Sequence, residues 1–128
     1  MTEEGPRLNP VQASLRLALE LIAWAAPAWW AASLFEGTVA SWIAGAVGLL
    51  VPMAMWVTFN VPGDPSRSGA APVPVSGRVR LLVEAIVFAG GAGALVGVGR
   101  WGAALVFIAL VAFHTASYRE RVRWLLAR

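Results

Sequence analysis

Four long apolar runs lie within a chain of only 128 residues, and they constrain the fold more than anything else in it. A helix rises about 1.5 Å per residue, so about 20 apolar residues cross a bilayer core of about 30 Å, where lipid offers the backbone no hydrogen-bond partner. Residues 17–35 contain one charge, Glu20; residues 39–59 contain none; residues 81–99 contain one, Glu84; residues 101–118 contain only His114. The pattern predicts an all-α, polytopic membrane protein of four transmembrane helices, a single domain over 1–128. Composition agrees: 59% of residues are hydrophobic and 13% charged, against about 25% charged in an ordinary soluble domain.

The boundaries have their own chemistry. Asn9, Pro10 and Gln12 read as N-cap, first helical residue and capping-box partner of helix 1, and Ser76 can cap helix 3. Glu36-Gly37-Thr38 and Gly97-Val98-Gly99-Arg100 are tight turns, which predicts two helical hairpins joined by a Pro-, Gly- and Ser-rich cytoplasmic loop at 61–77. All ten basic residues are arginine, and nine of them flank the N-terminus, the long loop and the C-terminus, with Arg100 alone on the other side. The positive-inside rule then places both termini in the cytoplasm, in a multi-pass protein of the inner (plasma) membrane. The pI near 11.1 needs no nucleic acid to explain it, because the arginines form short flanks rather than one basic face. Helix 1 is too long, and is interrupted by Glu20, to read as a cleaved signal peptide.

Helices 1 and 3 align at a constant offset of 64, with Arg16, Leu17, Glu20 and Ile22 matching Arg80, Leu81, Glu84 and Ile86. Both run outward from the cytoplasm, so the repeat is parallel. A carboxylate inside a span is costly, which makes Glu20 and Glu84 functional candidates, each with an arginine four residues earlier on the same face. Pairing can be local, or crossed as Arg16 with Glu84 and Arg80 with Glu20, which would clamp the two hairpins. His114 falls at a similar depth and completes a candidate ion-pair, proton or ligand site. Ala85, Ala89, Gly93 and Gly97 form a small-residue row on helix 3 that suits close packing, and Ala40, Ala44 and Gly48 form another on helix 2. Pro27 and Pro52 read as packing kinks. The tail after Tyr118 is basic and amphipathic, with Val122, Leu125 and Leu126 suited to the headgroup layer.

Three segments carry a resemblance: Arg16 to Glu20, Trp56-Val57-Thr58-Phe59-Asn60-Val61-Pro62, and Glu84-Ala85-Ile86-Val87-Phe88. They are similar to the Arg-x-x-x-Glu, Trp-x-x-Phe-x-x-Pro and Glu-x-x-x-Phe patterns of the YrdB-like family of small four-helix bacterial membrane proteins of uncharacterised function. The resemblance runs from Asn9 onward and implies the architecture without an activity.

The absence of cysteine excludes disulfides, thiolate metal sites and cysteine nucleophiles. No serine or threonine has a base at an informative spacing, and no metal-ligand spacing appears, so neither enzymatic activity nor a cofactor or metal is expected. The expected function is a membrane scaffold, accessory or lipid-interacting bundle. Its partners are the bilayer and, through the small-residue rows, a second copy or a larger membrane complex. The competing reading is a small proton-coupled transporter using Glu20, Glu84 and His114.

Overall fold

The computed structural model describes residues 4–67 and 70–128; residues 68 and 69 of the long loop lie outside the described residues. The chain is helical: α1 (Pro10–Ser33), α2 (Thr38–Thr58), α3 (Gly77–Gly97), α4 (Trp101–Ser117) and a short α5 (Arg119–Leu126). Between α2 and α3 the strands β1 (Phe59–Asn60) and β2 (Val73–Pro74) pair in parallel, with a 3-10 turn at Pro65–Arg67 between them. Among the described residues, α2 and α3 are long and apolar enough to cross a membrane, and α4 with α5 forms a bent pair that meets the same measure. The 24-residue α1 is more polar, since it carries Arg16 and Glu20 and begins well before the apolar run.

Local chemistry explains the helix ends. The Asn9 side chain accepts from the Gln12 amide at 2.8 Å while Gln12 Oε1 accepts from the Asn9 amide at 3.1 Å, a reciprocal box that starts α1 at Pro10. Ser76 accepts from the Val79 amide at 3.3 Å and starts α3. The α3–α4 turn is a Schellman motif: the Gly99 amide donates to Val96 at 2.9 Å and the Arg100 amide to Leu95 at 2.8 Å. Gly99 sits there at φ +79°, a conformation that side chains with a Cβ resist.

α3 is the central element, packed on α1 along one side and α4 along the other. The core joins Leu19, Ala23 and Ala26 of α1 to Val83, Val87, Ala94 and Leu95 of α3, with Phe107 of α4 and Trp56 of α2. α2 lies mainly against α1 and buries only Trp56, while Trp42, Ile43, Leu50 and Val51 face outward, as do Leu105, Val106 and Phe113 of α4. Aromatic edges link Trp56, Phe88 and Phe107 in a row, with centroid separations of 5.2 and 6.1 Å.

The packing faces are corrected. Ala85, Ala89 and Gly93 face outward, and a Cβ on Gly93 would meet nothing within 4 Å. The close approach to α1 is made instead by Gly91, whose added Cβ would press on the Ala23 backbone, and only Gly97 of the expected row meets α1, at Trp30. The reason is geometric: residues four apart drift by about 40° per step, so such a row winds around a straight helix instead of holding one face. On α2 the contact is made by Gly45 and by Gly48 of the expected row, the latter against the Pro27 carbonyl, and Ser41 Oγ donates to the Ala32 carbonyl at 2.9 Å. Ala40 of the expected α2 row is exposed.

The tail is corrected too. α5 turns 71° away from α4 and lies across the end of the bundle, with Arg121 and Leu125 buried and Leu126 outward. Gly77 admits it, because a Cβ there would overlap the Leu125 backbone, and the Gly77 amide donates to the Arg128 carbonyl at 3.2 Å. The N-terminal segment closes the same end: Tyr118 donates its hydroxyl to the Pro6 carbonyl, and Gln12 Nε2 donates to the Ser117 carbonyl at 3.1 Å. A short amphipathic helix buries its apolar face wherever a complementary surface exists, and here the bundle end supplies one.

Gly91→Leu is therefore expected to lower thermal stability by about 1–3 kcal/mol through overpacking against Ala23, whereas Gly93→Leu stays within about 0.5 kcal/mol. Thermal unfolding followed by tryptophan fluorescence checks this; equal losses at both positions would place a covering element over Gly93.

Candidate functional site

The end of the bundle closed by α5 holds a buried network of six charges. Arg16 and Glu20 come from successive turns of α1, Arg80 and Glu84 from the matching turns of α3, Asp64 from the loop and Arg121 from α5. Glu84 is the hub. Its Oε1 accepts from Arg16 Nη2 at 2.8 Å, Arg80 Nε at 3.0 Å and Arg121 Nη2 at 2.6 Å, and its Oε2 accepts from Arg121 Nη1 at 3.1 Å. Arg121 forks to a second carboxylate, donating Nε to Asp64 Oδ1 at 3.1 Å and Nη2 to Asp64 Oδ2 at 2.6 Å. Arg16 Nε stands 3.5 Å from Glu20. Three guanidiniums thus face three carboxylates, and all six residues are less than 9% exposed.

Trp56 anchors the network to α2. Its ring lies 4.6 Å from the Arg80 guanidinium and 5.1 Å from that of Arg16, both within cation–π range. Arg80 Nη1 donates to the Trp56 carbonyl at 2.7 Å and the Phe59 carbonyl at 2.8 Å. Those carbonyls belong to the end of α2, where the helix has no amides of its own to offer, so Arg80 caps it. The turn of the chain after α2 is fixed by Asn60, whose Nδ2 donates to the Val57 carbonyl at 2.7 Å.

The structure joins the sequence candidates unequally. Arg16 crosses to Glu84, while Arg80 pairs within its own helix and donates Nη1 to carbonyls at the end of α2. His114 is 2% exposed on α4, tilted against Tyr118 at 6.1 Å, and neither ring nitrogen has a hydrogen-bond partner among the described residues. No three of His, Asp and Glu converge as metal ligands among the described residues. Asp64 and Arg121 were missed. The signals were a lone acid between Gly63 and Pro65, and the Arg121–Leu125 spacing of four that puts both on one face of α5.

Outside the helical bundle, Asp64 is the most informative titrating group. Burial by itself pushes its carboxyl up, but the Arg121 guanidinium and the Ser66 amide outweigh this and hold it below the ordinary 3.8. Burial likewise works against the charge on Arg121, and Glu84 and Asp64 together raise its pKa above the ordinary arginine value.

A groove of about 540 Å³ opens between α3 and α4 and ends at this network. Its walls are apolar, formed by Leu81, Ala85, Phe88, Ala89, Ala92, Phe107, Ile108 and Val111, and its closed end is formed by Arg16, Glu84, His114 and Arg121. A second groove of about 530 Å³, lined by Arg7, Arg16, Glu20 and Ser66 among others, lies on the other side of Arg16.

The chain belongs to the family described as protein of unknown function (DUF2568), which matches residues 14–112. It is 33% identical over 120 residues to the uncharacterized protein YrdB of Bacillus subtilis (strain 168), covering 94% of this chain and 97% of that one. No solved structure matches it. The family match spans Arg16, Glu20, Trp56, Asp64, Arg80 and Glu84 and stops short of His114 and Arg121.

Because the native state holds Asp64 below its unfolded value, the stabilisation is fully present above about pH 3.8 and is lost as pH falls through the lower native value. Asp64→Asn is expected to cost about 3–5 kcal/mol at pH 7, since it leaves Arg121 short of a counter-charge, and the gap to wild type should narrow below about pH 4. Melting curves of both proteins from pH 7 to pH 3 measure it; a gap independent of pH would assign Asp64 no charge-dependent role.

Proposed function

We propose that the protein is a multi-pass membrane bundle of four spans, both termini cytoplasmic, which holds lipid and organises helices without turning over a substrate. The observation that carries this reading is the pairing of an apolar exterior with a charge network confined to one end. Exposed Trp42, Leu50, Leu105 and Phe113 would be costly in water, and the network brings together the start of α1, the end of α2, the start of α3 and the end of α4. This placing of helix ends supports a reading of four antiparallel crossings. α1 then counts as a span despite its polar first turns, because its charged pair lies at the network end and its remaining length, 21–33, is apolar.

Arginine placement supports the cytoplasmic assignment of that end, and Arg100 over the Trp29 ring at 5.7 Å suits the opposite interface. Glu84 is tied by three arginines from three helices, the geometry of a lock rather than of a shuttling carboxylate. This favours the scaffold and lipid-binding reading over proton-coupled transport. The same features support a residence in the bacterial inner membrane.

Reporter fusions test the topology. Fusions after Phe35 and Gly99 should read extracytoplasmic, and fusions after Asp64 and Arg128 cytoplasmic. An extracytoplasmic signal at Asp64 would overturn the four-span reading. A double-mutant cycle on Arg16→Gln and Glu84→Gln tests the lock: the coupling should reach about 1–3 kcal/mol, and additive losses would remove it.

A further inference from the structure

The α3–α4 groove offers an occupant one open hydrogen-bonding group and no net charge. Its closed end is balanced: Arg16 pairs with Glu20 and Glu84, Arg80 with Glu84, and Arg121 with Asp64 and Glu84, three arginines against three carboxylates. The other polar side chains of the lining are engaged as well, with Thr115 Oγ1 donating to the Val111 carbonyl at 2.8 Å and the Tyr118 hydroxyl to the Pro6 carbonyl. His114 is the exception, 2% exposed with neither ring nitrogen hydrogen-bonded among the described residues. Buried polar groups are nearly always hydrogen-bonded, so this imidazole points to a ligand group that engages it. Beyond it the trough is apolar, with Ala85, Phe88 and Ala92 of α3 facing Phe107, Ile108 and Val111 of α4. From Glu84 to Ala92 it follows about 12 Å of helix, at about 1.5 Å per residue. Its volume of about 540 Å³ is that of a small-molecule site.

We infer that this groove binds a single-chain lipid alcohol, with its hydroxyl on His114 and its chain along Phe88, Ile108 and Val111. The inference rests on the lipid-holding reading above and specifies its ligand. Charge balance at the closed end selects an uncharged head, because a carboxylate or phosphate would stand there without a counter-charge of its own. One open hydrogen-bonding group selects a head with one oxygen: a neutral imidazole has one N–H and one lone pair, and a hydroxyl either accepts from the first or donates to the second. The extra oxygens of an acylglycerol would lie unpaired against the apolar walls, each at its desolvation cost. Orientation agrees, since the polar end lies with the network at the end of the bundle and the trough runs from there toward the middle of α3, as an alcohol stands in a leaflet with its hydroxyl at the headgroups. Ala85 and Ala89, both exposed, keep the outer wall low, so the chain enters sideways from the bilayer.

His114 is the one histidine of the chain, so histidine labelled with nitrogen-15 gives the full-length protein in phosphatidylcholine nanodiscs ring-nitrogen resonances that report on this site alone. Hexadecanol should shift them saturably, and hexadecane and palmitate should leave them in place. Hexadecanol bearing a photoactivatable diazirine on its chain should cross-link to peptides 88–92 and 107–111. His114→Phe should weaken that cross-linking about fivefold, the loss expected for one hydrogen bond. Ala89→Leu, on the exposed wall and away from the core, should weaken it similarly without altering the melting temperature. Farnesol in place of hexadecanol tells an isoprenoid from an unbranched chain, and a saturable shift by either supports the site. Resonances unmoved by both alcohols mean that water alone engages the imidazole, and overturn the proposal. An equal shift by palmitate overturns the uncharged head, and an equal shift by dioleoylglycerol overturns the single chain. Cross-links spread evenly over all outward helix faces with the reporter topology intact refute this site alone, whereas no cross-link from the lipid phase to any helix refutes the membrane reading itself.

Discussion

Glu84 accepts hydrogen bonds from three arginines, one each from α1, α3 and α5, and the positions of those elements depend on that carboxylate. A lone charge at this depth would be strongly unfavourable, and so would each arginine without its counter-charge. The network is balanced only as a whole, three positive against three negative, so its members hold one another in place. Such networks contribute more to uniqueness of structure than to net stability: an apolar replacement of the whole set could be equally stable, but it would not specify which helix end meets which.

The network also explains why one tryptophan is buried while most of the others line the exterior. Trp56 closes the end of α2, and its ring and carbonyl both serve Arg80: the ring as a cation–π partner, the carbonyl as an acceptor. The resemblance motif around Trp56, Phe59 and Pro62 thereby gains a physical meaning. Trp56 and Phe59 present carbonyls to Arg80, and the chain from Val61 then turns down to bring Asp64 to Arg121. Helix α5 and the N-terminal segment cover the charges from outside, which keeps water from competing for them and strengthens each bond.

Polarity is thus segregated by end. The termini, the loop and the charged network share one end, and the opposite end carries little beyond two tight turns and Arg100. Polar and apolar character meet on an open surface in the α3–α4 groove, and His114 marks that junction. Of the candidate ion-pair, proton or ligand residues, Arg16, Glu20, Arg80 and Glu84 join the charge network, while His114 lines the groove beside it.

The helices, their caps and the two tight turns were legible in the sequence because each is decided by residues within about one turn of one another: Asn9 with Gln12, Ser76 with Val79, Gly99 with Val96. The Arg-x-x-x-Glu pairs were legible for the same reason, since a spacing of four puts both groups on one face. Family membership was legible from short motifs. Which face of α3 meets α1 was not, because helix rotation is set by packing, and a row of small residues suits an outward face and a helix contact equally well. Nor were Asp64 and Arg121, which lie 57 residues apart and meet only because α5 folds across the bundle end. Local periodicity fixed the elements; the closing of the charge network, a property of the assembled chain alone, decided how they meet and where the groove opens.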